Sequence, residues 1–176
     1  MERIRNYDDK PFVYSNQKIL NNIILNGVGA LEGSIPNPLA GASGLYFDGN
    51  AGGIEVEGNT IAACTDDGIL FHDAHDIVVK NNTLYNNGTQ IAVYSDYTPM
   101  VNGDTSFIRN LYVTKNIFVS KTPEQYNLAS IISFDDISSF GIIDSNFYAR
   151  PIDNNPVCRA DAVGGGLHFN NYTLSS

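Results

Sequence analysis

Asp48 and His72 are the residues of this sequence best suited to move a proton together. Each closes a phrase of one pattern, Gly44-Leu45-Tyr46-Phe47-Asp48 and Gly68-Ile69-Leu70-Phe71-His72, so a repeated backbone would carry them to equivalent places in adjacent units. A carboxylate beside an imidazole is a general acid/base arrangement. Asp135 closes another such phrase and would offer the second carboxylate of a hydrolytic pair. Asp67, in Asp66-Asp67-Gly68, is a further candidate acid, although Asp-Asp-Gly is also an ordinary turn signal. Tyr46 and Tyr94 could stack on a ring, and Arg109 and His168 could hold a polar substrate. The competing reading is plain: an exposed sheet face carries polar residues by default.

Two ladders of phrases must position these side chains. The first has five copies, each a β-rich run ending in Asn and followed by an apolar residue: Ile19-Leu20-Asn21-Asn22-Ile23, Val56-Glu57-Gly58-Asn59-Thr60-Ile61, Val79-Lys80-Asn81-Asn82-Thr83-Leu84, Val113-Thr114-Lys115-Asn116-Ile117 and Ile143-Asp144-Ser145-Asn146-Phe147. Only 23 residues separate Asn59 from Asn82, too few for a pair of packed helices and enough for three short strands. Runs such as Ile77-Val78-Val79 and Leu111-Tyr112-Val113 favour strands on propensity as well.

The second ladder comprises the Asp48 and His72 phrases with Gln90-Ile91-Ala92-Val93-Tyr94, Ile131-Ile132-Ser133-Phe134-Asp135 and Gly166-Leu167-His168-Phe169-Asn170. Strand alternation turns Leu45/Phe47, Ile69/Phe71, Ile91/Val93, Ile132/Phe134 and Leu167/Phe169 inward. Asp48, His72, Tyr94, Asp135 and Asn170 then form an outward column, flanked by insertions that would raise a groove. Pro11-Phe12-Val13-Tyr14 is expected to add one rung.

These phrases resemble the right-handed parallel β-helix of the pectate-lyase-like superfamily, over residues 11 to 172. The expected fold is therefore all-β: a right-handed single-stranded parallel β-helix of about five to six coils with loop insertions, one domain over residues 1–176. Asn22, Asn59, Asn82, Asn116 and Asn146 would stack about 4.8 Å apart, hydrogen-bonded along the axis and left-handed at a tight corner. The resemblance implies a carbohydrate-associated module, glycan-binding or structural, or else a secreted polysaccharide-processing enzyme, a glycoside hydrolase sooner than a lyase. The paired Asp before a strand is similar to polygalacturonases, but no Gly-His follows in the next coil and no Arg-x-Lys after it. A lyase needs a basic residue on the outward face; Arg109, at the end of an insertion, is the one that could be delivered there.

A net charge of −9, with only 10 basic residues, disfavours nucleic acid and anionic membranes and suits a polysaccharide or oligosaccharide partner. No apolar run reaches spanning length, so membrane insertion is not expected, and Met1-Glu2-Arg3-Ile4-Arg5 lacks the apolar core of a signal peptide. The resemblance nonetheless implies a secreted or cell-surface protein, and the abrupt start suggests part of a larger one. Exposed coil ends would invite end-to-end self-association or further coils. Cys64 and Cys158 fall about four coils apart, beyond disulfide reach unless the long final insertion folds back, and Cys64 reads as a core thiol. His72-Asp73-Ala74-His75-Asp76 lacks the convergent ligands of a metal site, so no cofactor is expected; Ca²⁺ on Asp66, Asp67 or Asp73 is the one cation considered.

Overall fold

The computed structural model describes residues 16–29, 41–49, 51–95, 108–132, 140–162 and 168–173, and every regular element among them is a strand. Three strands make a coil. The first coil is β1 (Gln17–Leu20), β2 (Ile23–Leu25) and β3 (Leu45–Phe47); the second is β4 (Gly52–Glu57), β5 (Thr60–Ala62) and β6 (Asp67–His72). β7 (His75–Lys80), β8 (Thr83–Tyr85) and β9 (Thr89–Ser95) form the third, and β10 (Arg109–Thr114), β11 (Ile117–Val119) and β12 (Tyr126–Ile132) the fourth. The fifth is β13 (Gly141–Asp144), β14 (Phe147–Ala149) and β15 (Cys158–Ala162).

Equivalent strands pair in parallel, giving a first sheet β1-β4-β7-β10-β13, a second β2-β5-β8-β11-β14 and a third β3-β6-β9-β12-β15. This is a parallel β-helix. Its last strand, β16 (His168–Tyr172), breaks the pattern by pairing antiparallel with β15. The described part of the expected Gly166–Asn170 rung, His168–Asn170, thus returns antiparallel on the third sheet, and β15 supplies the fifth parallel rung instead.

Side-chain alternation builds the core. Ile54, Ile77 and Leu111 stack from the first sheet, Ile61, Leu84 and Phe118 from the second, and Ile69 and Ile91 from the third, each at most 8% exposed. Burying each such side chain contributes about 1.5–3 kcal/mol, and stacking like on like fills the interior without voids.

Each coil turns from the first sheet to the second across two residues, and the second of them is the ladder Asn. The amides form a continuous chain. The N–H and Nδ2 of Asn59 both donate to Asn82 Oδ1, at 2.8 and 2.9 Å, and Asn82 donates likewise to Asn116 Oδ1 at 2.9 and 3.0 Å. Asn22 joins below and Asn146 above with the same pair of bonds. One detail differs from expectation. The left-handed residue is the one before each ladder Asn, namely Asn21, Gly58, Asn81, Lys115 and Ser145, so the bend and the amide are divided between neighbours. Leaving the ladder Asn out of the left-handed conformation aims its amide along the axis.

Further left-handed columns mark the other corners: Asn26, Ala63 and Asn86 leave the second sheet, and Asn16, Gly53, Asp76 and Asn110 enter the first. The Pro11–Tyr14 segment lies outside the described residues.

Candidate functional site

The third sheet sets the candidate site. Leu45 pairs with Ile69 and Phe47 with Phe71, so Tyr46 and Asp48 face outward beside Leu70 and His72. Asp48 and His72 do meet: Asp48 Oδ1 lies 3.2 Å from His72 Nδ1, and the Tyr46 hydroxyl lies 2.9 Å from the same nitrogen. The Tyr46 ring stacks on the imidazole, centroids 6.3 Å apart and 12° from parallel. Tyr94 occupies the next rung, opposite His72. A carboxylate can only accept, so an Nδ1–H shared toward Asp48 is the tautomer that satisfies the trio. Asp48 is 67% and His72 28% exposed at the side chain, which leaves the trio open to a ligand.

Higher on the same face the arrangement departs from the expected column. β12 pairs with Leu128 opposite Ile91 and Ile131 opposite Tyr94. Ile131 therefore holds the place assigned to Asp135, which lies outside the described residues. The pattern apolar-x-apolar recurs within a few residues here, and the wrong copy fits the spacing equally well. Asn127 discriminates, because it sits opposite Gln90, and both amides are buried in the interior. The face is also closed along its middle: Leu70, Ala92 and Ala129 point outward yet are 7%, 0% and 8% exposed. Among the described residues this buried middle separates the exposed Tyr46 and Asp48 at the first coil from Arg159, which is partly exposed on the same face at the fifth.

Asp67 begins β6 and is 2% exposed. Burial, with Asp66 beside it, pushes its carboxyl up to about 7 against a Thr89 hydrogen bond that lowers it, and its Oδ2 has no partner. It stands five residues before His72 along the strand, about 16 Å from the Asp48 rung position. Carboxylate pairs in glycoside hydrolysis lie about 5–10 Å apart. Asp67 and Asp48 are not such a pair.

Arg109 opens β10 opposite His75, around the corner from His72. His75, which the sequence reading set aside, is a buried imidazole whose Nδ1 lies 2.5 Å from Asp76 Oδ2; Asp76 Oδ1 in turn accepts from Asn110 Nδ2 at 2.8 Å. Burial, aided by the Arg109 charge, lowers the His75 pKa against the pull of Asp76. For Asp76 burial raises the pKa, but the Asn110 and His75 hydrogen bonds outweigh it and the net direction is down. A neutral imidazole donating from Nδ1 to an ionised Asp76 follows. Gly52 makes room for it, since a Cβ there would lie 2.6 Å from His75 Cε1. His168 lies in antiparallel β16, its backbone opposite Ala162.

Among the described residues no three of His, Cys, Asp and Glu converge to hold a metal. Both cysteines are free thiols, and burial pushes that of Cys158 up to about 11.

No curated protein and no solved structure matches the chain. The family described as right handed beta helix region matches residues 4–124. With well over half of the sequence matched and three parallel sheets winding through it, the chain belongs to the right-handed β-helix family.

Proposed function

We propose that this protein is a noncatalytic, carbohydrate-associated β-helix module that binds a neutral glycan at the first-coil end of its third sheet. One observation carries the reading: Tyr46 and Asp48 converge on His72 Nδ1 from the adjacent rung, on an exposed surface with a tyrosine on the next rung. A half-exposed aromatic ring beside a carboxylate and an imidazole matches a sugar, which offers an apolar ring face and hydroxyls that both donate and accept. The net charge of −9 favours an uncharged chain over an anionic one. A secreted or surface location accompanies this reading.

The alternative, a secreted polysaccharide hydrolase, draws on Asp67, because a carboxyl with a pKa of about 7 suits a general acid. Its burial and its distance from Asp48 weigh against it. Glycan-array screening followed by calorimetry on the best ligand tests the proposal. Tyr46→Ala and Asp48→Asn should each weaken binding about tenfold or more, a loss of about 1.4 kcal/mol. Unchanged affinity in both variants would remove the site; release of new reducing ends by the wild type would favour the hydrolase.

A further inference from the structure

The three sheets present very different outer faces. Of ten outward positions on the first sheet five are charged, with Lys18, Glu55, Lys80 and Glu57 joined in ion pairs of 2.8–3.3 Å. The ten outward positions of the second sheet carry no charge at all. Ile23, Leu25, Tyr85, Ile117 and Phe147 stand on it, 75%, 53%, 40%, 43% and 62% exposed, with Thr83 among them. In a chain with 29 charged residues, a face of five rungs without one stands apart from the rest of the surface.

We infer that the second-sheet face is a self-association surface, on which a second copy of this chain packs sheet against sheet. Area and charge single out this occupant. The exposed apolar side chains amount to something on the order of 600 Å², larger than stray surface residues would give and at the lower limit of a specific interface per partner. Two bodies of charge −9 repel, and an uncharged face is where they can approach at least cost. Aliphatic residues outnumber aromatic ones, as packing between protein sheets requires and stacking on sugars does not. End-to-end stacking is the weaker route, because antiparallel β16 interrupts the parallel ladder at the far end of the third sheet. The inference does not depend on the glycan site.

Sedimentation velocity on the full chain over a wide concentration range tests it. The wild type should pass from monomer to dimer, more readily at higher salt as the repulsion is screened. Phe147→Glu and Ile23→Lys, both at exposed positions that tolerate folding, should each raise the dissociation constant roughly tenfold or more, whereas Tyr112→Glu on the first sheet should not. A wild type that stays monomeric throughout, or a dimer that both variants leave intact, overturns the inference. So does a monomer that is retained by insoluble polysaccharide or lipid vesicles through Phe147, which would give the face to that partner.

Discussion

Two corners of this β-helix meet the same physical demand in opposite ways. Between the first and second sheets, every coil turns in two residues, and five identical amides satisfy the buried backbone of the corner. Between the second and third sheets the connection varies in length, and each coil improvises. Cys64 N–H donates to Asn87 Oδ1; Asn87 Nδ2 donates to Gln90 Oε1; Ser120 Oγ pairs with Asn127 Oδ1. At the fifth coil the Arg150 guanidinium, 4% exposed, is ringed by the carbonyls of Pro156, Thr122, Pro123 and Gln125. A fixed connection lets one residue type be stacked along the axis. A variable connection makes each rung solve its own hydrogen-bonding problem.

If the repeated corner is the more cooperative, breaking it should cost most. Asn82→Leu removes two accepted bonds from Asn59 and three donated by the side chain, to Asn116, Val56 and Lys80. Leu keeps its own backbone N–H, but that group loses nothing except register, whereas Asn59 N–H and Val56 C=O lose their side-chain partner inside the barrel. The expected loss is about 4 kcal/mol, a fall of about 10 °C in the thermal midpoint by calorimetry. A fall of only a degree or two would mean that the ladder is ornament.

The improvised corner should lose less. Arg150→Met removes the donors facing four carbonyls, but it also relieves the burial of a charge whose nearest carboxylate, on Asp153, is 3.7 Å away. The two effects oppose, and about 2 kcal/mol, or about 5 °C, is the expected net cost. A loss equal to that of Asn82→Leu would erase the distinction between the corners.

The same contrast decides what could be read in the sequence. The Asn-ended phrase is legible because its spacing from both flanking strands never changes, so a single alignment of five copies yields the strands, the parallel pairing and the amide chain together. What it hides is which of two neighbours bends: in Asn21-Asn22 and Asn81-Asn82 either could be left-handed, Gly58 before Asn59 is the one residue type that marks the first position, and Lys115 and Ser145 take it against their own propensity. The third sheet follows the variable corner, so its register was legible for Leu45, Ile69 and Ile91, where a Gly or Gln sits just before, and failed at Leu128. The cue there was Asn127, an amide ahead of an apolar residue as in Gln90-Ile91. The Asp48–His72 contact emerged from strand alternation alone; the closure of the face above it depends on burial that no local pattern encodes. Arg150 left no signal, since its partners are backbone carbonyls.

Asp67 offers a finer test, because it lies at the start of the strand that leaves the variable corner. No comparable unsatisfied carboxyl is found in the amide ladder. Its folded pKa, about 7, is raised above the ordinary 3.8, so the folded state holds its proton more tightly than the unfolded chain does. Its contribution is therefore fully present below about pH 4 and is lost as pH rises through about 7. Asp67→Asn cannot ionise, and its amide can still take the Thr89 hydrogen bond. The variant should match the wild type near pH 4 and exceed it at pH 8 by about 1–2 kcal/mol in denaturant melts. His75 moves the other way: its lowered pKa makes it a stabilising group above about pH 6.5 whose contribution is lost on acidification, so the two must be separated by substitution and not by the wild-type curve alone. If Asp67→Asn is no more stable than the wild type at pH 8, the carboxyl has found a partner or water on ionising, and the variable corner is as well satisfied as the repeated one.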